Sequence, residues 1–301
     1  MADFSMRSTN WIAKLPGRAR LGSALVWGAI FSLAYMIMLF LPTPGADFHA
    51  PDRPFIDYPP WITLLVLPVR SIAVANALTL TALAYALWRR DAKPMHYVLA
   101  FTAMPLYWNL WLSQYEFIPL LGLVWLPWGL PLALTKPQVA VWGVGAWWLQ
   151  QPRKWQIATA VVIGVLVSFL VYGWWPANLQ RPTTIDTVYN LSAWYWGGPV
   201  LGGLAVVAAI WATLKTRDMD RAMALGALAA PYIQGHGYLL LIPAFARLKG
   251  VPLILVWLAS WASLVTLVLG DAGRVCTLAF PLAVWAALTW DARARAAQGA
   301  T

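Results

Sequence analysis

The sequence predicts an all-α, polytopic integral membrane protein, and three observations carry that expectation. Of 301 residues, 61% are hydrophobic and only 11% are charged, a balance too apolar for a water-soluble domain of this size. Apolar runs near the ~20 residues needed to cross a hydrocarbon core recur along the whole chain. They lack the dyad alternation of a transmembrane barrel, so helices must satisfy the backbone hydrogen bonds that lipid cannot. The net charge of +10 sits in short clusters between apolar runs, which is a pattern of membrane orientation rather than of a nucleic-acid surface. The single cysteine, Cys276, excludes an intrachain disulfide and multi-cysteine metal sites. Inside an apolar run it reads as packing.

Arg7, Lys14, Arg18 and Arg20 make residues 1–20 a basic, cytoplasmic amino terminus. The apolar run Leu21 to Leu41 is too long for the hydrophobic region of a cleaved signal and reads as an uncleaved first span. Further full spans are expected at Ser71 to Trp88, Met95 to Leu112, Pro137 to Gln150, Gln156 to Trp175, Gly198 to Leu214, Val251 to Gly270 and Val275 to Trp290. Residues 21–290 thus form one transmembrane helical domain, and 291–301 a cytoplasmic tail. Two stretches stay open between one span and a hairpin of two half-helices. Residues from Tyr115 to Thr135 are broken by Pro119, Pro127, Gly129 and Pro131, and those from Ala222 to Phe245 carry Pro231, Gln234, Gly235, His236 and Gly237 in the middle.

The tendency of Lys and Arg to remain on the cytoplasmic side discriminates between these arrangements. With both stretches as hairpins, 16 of the 21 Lys and Arg fall on that side; with both as single spans, 13 do. The double-hairpin arrangement therefore leads. It makes about eight full spans plus two broken hairpins, with both termini cytoplasmic in a plasma or inner membrane. It also gathers Asp47, Asp52, Asp57, Glu116, Lys136, Asp186 and the Gln234 to His236 region at the outer face. Polar groups in so apolar a chain are functional-site candidates when they line a wet cavity.

Each candidate has a plainer alternative. Asp47, Asp52 and Asp57 lie in a Pro-rich loop, Pro42 to Pro60, where solvated carboxylates are ordinary. Lys136, between two apolar runs, either snorkels to the interface or neutralises an anion. His236 between two glycines either satisfies a broken helix or serves a site. Three histidines in all, His49, His96 and His236, argue against a histidine metal centre or haem. The 21 tryptophans suit interfacial belts, with Trp147-Trp148 and Trp174-Trp175 at span ends. No phosphate loop, Ser/His/Asp arrangement or HExxH is present.

The order of motifs resembles the GT-C superfamily of membrane glycosyltransferases, and most of all its polyprenol-phosphate-mannose-dependent mannosyltransferase branch, glycosyltransferase family 87. The matching pieces are Ala46-Asp47-Phe48 after the first span and Tyr58-Pro59-Pro60-Trp61 before a short helix. Ser113-Gln114 follows an apolar run containing Pro105, and then come Lys136-Pro137-Gln138 and Arg153-Lys154-Trp155. Late in the chain, Ala230-Pro231-Tyr232 leads to Gln234, His236 and Tyr238. The similarity spreads over residues 21–246.

The resemblance implies transfer of one sugar, mannose foremost, from a polyprenyl-phosphate donor to an acceptor hydroxyl at the outer face, with inversion and without a metal or other cofactor. Asp47, with Asp57 in reserve, would take the hydroxyl proton. Lys136 and Arg70 would meet the charge developing on the leaving phosphate. Gln114, Gln138, Gln234 and His236 complete the expected substrate-binding set. The expected partners are membrane lipid and the lipid-linked sugar, with no nucleic acid. Only ten residues separate Asp47 from Tyr58, where the family carries a longer acceptor-binding arm. That contraction keeps two alternatives open: a catalytically silent Trp-rich scaffold in a larger membrane complex, and a transporter of lipid or small solutes built on broken helices.

Overall fold

The computed structural model describes residues 17–41, 69, 71–174 and 190–298, and within them every regular element is helical. In chain order these are α1 (Gly17–Phe40), α2 (Ile72–Trp88), α3 (Pro94–Phe101), α4 (Met104–Leu112), α5 (Phe117–Val124), α6 (Leu130–Ala133) and α7 (Pro137–Leu149). There follow α8 (Lys154–Tyr172), α9 (Ala193–Trp211), α10 (Met219–Ala229), α12 (Gly250–Ser260), α13 (Val265–Leu269) and α14 (Ala279–Gln298), with α11 reserved for the tightly wound 3-10 segment Gly235–Arg247. Four helical stretches are long and apolar enough to cross a membrane: Ser23–Phe40, Lys154–Tyr172, Ala193–Thr216 and Ala272–Gln298. Within α8 only Ser168 is buried, so a helix about 28 Å long presents apolar side chains all round, as a surrounding lipid phase requires.

Several expected spans are shorter or interrupted. The run Met95 to Leu112 is two helices, because a Pro105 ring in a continuous helix would collide with the carbonyl four residues earlier. Ala103 is extended there, and the freed Met104 amide donates to Ser260 Oγ at 3.3 Å. Helix α7 keeps the expected Pro137 to Gln150 bounds to within one residue, and its 13 residues reach about 20 Å. The carboxyl-terminal segment expected as a tail from 291 continues as helix to Gln298.

Both ambiguous stretches turn back on themselves. Between α5 and α6 the backbones nearly touch: a Cβ on Gly122 would strike the Ala133 nitrogen, and one on Gly129 the Gly122 carbonyl oxygen. The turn reaches α2, where Trp125 Nε1 donates to Tyr85 Oη at 3.3 Å. The second stretch runs up α10, breaks at Ala230, and returns along α11. Pro231 disfavours a helical conformation in the residue before it, and Ala230 is extended at φ −61°, ψ 128°. The return buries Leu239, Leu240, Leu241, Ile242 and Phe245 almost completely in the core.

The two ends of the second hairpin are locked together by charge. Asp218 caps α10 by accepting from the amides of Asp220 and Arg221, and Arg247 grips Asp218 at 2.6 Å and Asp220 at 2.8 Å. Arg90, just past α2, also reaches Asp220 at 2.8 Å. Nearby turns are tied to this lock, since Gln150 Nε2 donates to the Arg217 carbonyl at 2.6 Å and Arg221 to the Leu288 carbonyl at 2.9 Å. The turns after α2, α7, α9 and α11 and the end of α14 therefore share one end of the bundle. All described Lys and Arg side chains except Lys136 and Arg274 lie at that end.

Burial by itself would raise the Asp220 carboxyl, but the Arg90 and Arg247 guanidiniums outweigh it and hold the group below its usual range. A depressed carboxylate pKa contributes stability above the unfolded value, and that contribution fades as pH falls through the folded one. Asp220→Asn, which leaves Arg90 without a carboxylate and Arg247 with Asp218 alone, is expected to cost about 3–5 kcal/mol near neutrality. The gap to the wild type should narrow once pH drops below about 4. Thermal unfolding in detergent across pH checks this: a gap that is constant down to strong acid contradicts it.

Candidate functional site

At the opposite end of the bundle three chain breaks meet: the turn between α4 and α5, the turn after α6, and the interruption after α10. The first is shaped by Ser113, which closes α4 in the left-handed region at φ 54° and points the chain so that Gln114 and Glu116 follow in quick succession. The second delivers Lys136 as the residue preceding α7. The third delivers Gln234 and His236 at the start of the 3-10 return.

Glu116 stands at the centre and is fully buried. Its Oε1 accepts from Lys136 Nζ at 2.6 Å and meets His236 Nδ1 at 2.6 Å. Lys136 Nζ also donates to Gln114 Oε1 at 3.3 Å, and His236 Nε2 lies 2.7 Å from Gln234 Oε1. Gln234 Nε2 continues the chain to Tyr232 Oη. With the Gln234 oxygen towards the ring, both imidazole nitrogens donate, and the cluster of imidazolium, ammonium and carboxylate carries a net positive charge. With the carboxamide rotated, Nε2 accepts instead and the cluster is neutral. The same geometry thus accommodates two charge states that differ by one proton.

Two buried groups here have unmet hydrogen-bonding capacity. Glu116 Oε2 and both amide atoms of Asn109 lack a partner among the described residues. A buried carboxylate oxygen is costly without a donor, and with none among the described residues Glu116 Oε2 can accept from a hydroxyl, an ammonium or a water. Beside the cluster, Trp108, Gly235, Tyr238, Ser263 and Thr277 contribute to the lining of a cavity that holds about one water. Trp108 Nε1 and Ser263 Oγ, both without a partner among the described residues, belong to that lining.

Of the residues expected from the sequence, Gln114, Lys136, Gln234 and His236 are brought together. Gln138 is exposed on the first turn of α7 and is not drawn into the cluster, because two positions along a helix turn a side chain by about 200° from that of Lys136. Asp47, Asp57 and Arg70 lie outside the described residues. A scan against family models and searches of curated proteins and solved structures gave no match. The arrangement must therefore be read from its own chemistry.

Sequence reasoning placed Glu116 at this face but gave it no role. The signal was present: it is the chain's only glutamate and the only acid between Asp91 and Asp186. An isolated ionisable residue in an apolar stretch needs a named partner, and Lys136 is the only cation between Lys93 and Arg153. Asn109 offered no such pairing signal.

Removing the carboxylate charge takes from Lys136 and His236 the buried anion that they share. Glu116→Gln is expected to destabilise the protein by about 3–5 kcal/mol, and Lys136→Met added to it should recover part of the loss. A double-mutant cycle on unfolding in detergent checks the coupling. Strictly additive effects would mean that the two side chains do not interact.

Proposed function

We propose that this chain is a membrane-embedded glycosyltransferase of the GT-C type, moving a sugar, mannose foremost, from a polyprenyl-phosphate donor to an acceptor hydroxyl. The observation that carries the reading is the meeting of Lys136 and His236 on Glu116, with Gln234 on His236, at the end of the bundle remote from the basic turns. By the charge bias of membrane proteins the basic end faces the cytoplasm, which puts the cluster on the outer side of a plasma or inner membrane and both termini inside. Eight full spans with two hairpins fit this orientation. The helix ends that flank residues 42–68, Phe40 and Ile72, both belong to the cluster's end of the bundle, because Trp27 and Trp88 pair at the other end. That supports a role for Asp47, with Asp57 in reserve.

In this reading the acceptor oxygen attacks the anomeric carbon as the bond from that carbon to the phosphate oxygen breaks. The hydroxyl proton passes to Asp47, and the polyprenyl phosphate leaves with the bonding electron pair. Lys136 and Arg70 meet the negative charge that builds on the phosphate, where a fixed cation in a dry site acts strongly. Glu116 keeps Lys136 and His236 at a fixed separation, and Gln114 and Gln234 hold the outer members of the chain. No cofactor takes part.

A second reading is favoured by the filled interior. The described cavity beside the cluster admits a water but no sugar, which suits a scaffold subunit of a larger membrane complex whose tryptophans pack on lipid or partners. Transfer of labelled mannose from a polyprenyl-phosphate donor by purified, reconstituted protein separates the two. The enzyme reading expects product, lost with Asp47→Asn and lowered about 100-fold or more in kcat by Lys136→Met. No product from folded wild type, together with stable co-purification of other subunits, would replace it by the scaffold.

A further inference from the structure

We propose that the basic end of the bundle is a binding surface for anionic phospholipid headgroups. The proposal rests on membrane embedding and is independent of sugar transfer.

The charges at this end form two tiers. The inner tier is the lock already described, in which Asp218 and Asp220 pair with Arg90, Arg221 and Arg247 and leave one positive charge in surplus. The outer tier is Lys93, Arg153, Lys215, Arg217, Lys249 and Arg293, all exposed and all without an ion pair among the described residues. Asp291 is already engaged by Arg295 at 2.5 Å, which leaves exposed Asp91 as the one acid among the described residues at this end available to offset them. Among the described residues six outer cations thus face one anion, a surplus suited to an external counter-charge.

These cations are held in place. Gln150 joins the turn bearing Arg153 to the one bearing Arg217. His96 Nε2 lies 3.0 Å from the Leu248 carbonyl, joining the turn of Lys93 to that of Lys249. Because the turns are mutually bonded, their charges act as one plate rather than as independent tails.

The depth of the plate identifies the partner. Trp88, Trp155, Trp211 and Trp290 are 42%, 71%, 49% and 71% exposed, each within four residues of an Arg or Lys; the first three stand at the basic ends of their helices, and Trp290 in the half of α14 towards that end. Exposed indoles on long apolar helices settle at the boundary between hydrocarbon and headgroup. The outer cations consequently lie at phosphate level, where an anionic leaflet supplies what they lack. A soluble polyanion such as nucleic acid would have to compete with the bilayer for the same layer.

The test uses the full chain in nanodiscs of phosphatidylcholine alone and in discs with about one-third phosphatidylglycerol. At low salt the wild type should melt several degrees higher in the anionic discs, and the shift should collapse in about 1 M NaCl, where the screening length falls to about 3 Å. Lys93→Gln/Lys215→Gln/Lys249→Gln/Arg293→Gln should lose at least half the shift while melting normally in neutral discs. Arg274→Gln, at the other end, should keep it. Equal melting of inserted wild type in both disc types overturns the proposal, as does a quadruple variant with the full shift, or preferential retention of an added oligonucleotide over phosphatidylglycerol. If the quadruple variant fails to fold, the wild-type salt dependence and the single change Lys215→Gln still decide. Failure of the wild type to insert into either disc would instead count against membrane embedding itself.

Discussion

An ionised carboxylate deprived of water is tolerated only if donors replace the water, and in this molecule no single helix can furnish them for Glu116. Its donors come from the turn after α6 and from the break after α10, more than a hundred residues away in the case of His236. Each of those segments must leave its helix, expose a polar side chain inward and do so at the same depth. The helix breaks at Ser113, Lys136 and Pro231 are thus linked consequences of one requirement, that a buried anion be surrounded.

The opposite end obeys the same rule with the signs arranged differently. There two aspartates face three arginines, and the surplus positive charge is turned outward. Together the clusters fix the 219–247 segment at both extremities, the tip by His236 and the ends by the grip of Arg247 on Asp218. An apolar hairpin in lipid has no hydrophobic force to hold it against its neighbours, since lipid tails solvate it equally well. Charge pairing at the two ends and the packing of Leu239 to Phe245 between them provide that hold.

Much of this was legible in the sequence because prolines, glycines and lone charges are rare in apolar runs and therefore conspicuous. Pro231 announced a break, and the distribution of Lys and Arg over the turns favoured chain reversals at both interrupted stretches. Less legible was how many runs would be continuous helices. Pro105 was read as a feature inside a span, whereas its ring divides α3 from α4, while α7, flanked by Lys136 and Gln150, keeps the expected bounds to within one residue. Glu116 escaped a role because its partners are distant in sequence, and only the fold shows that the three breaks coincide. Gln138 shows the converse: closeness to Lys136 in sequence suggested a shared site, but two positions along a helix point about 200° apart.

The chemistry available at the Glu116 cluster, a lysine and an imidazole sharing one carboxylate beside unmet acceptors and donors, has meaning only if all three breaks occupy the same side. Single cysteines at Gln138, Pro231, Lys93, Arg153, Lys215 and Lys249, in a Cys276→Ser background, can be labelled in sealed vesicles with a membrane-impermeant thiol reagent. Gln138 and Pro231 should react from one face and the other four from the opposite face. If either of the first two positions shared a side with any of the four, the convergence on Glu116 could not exist.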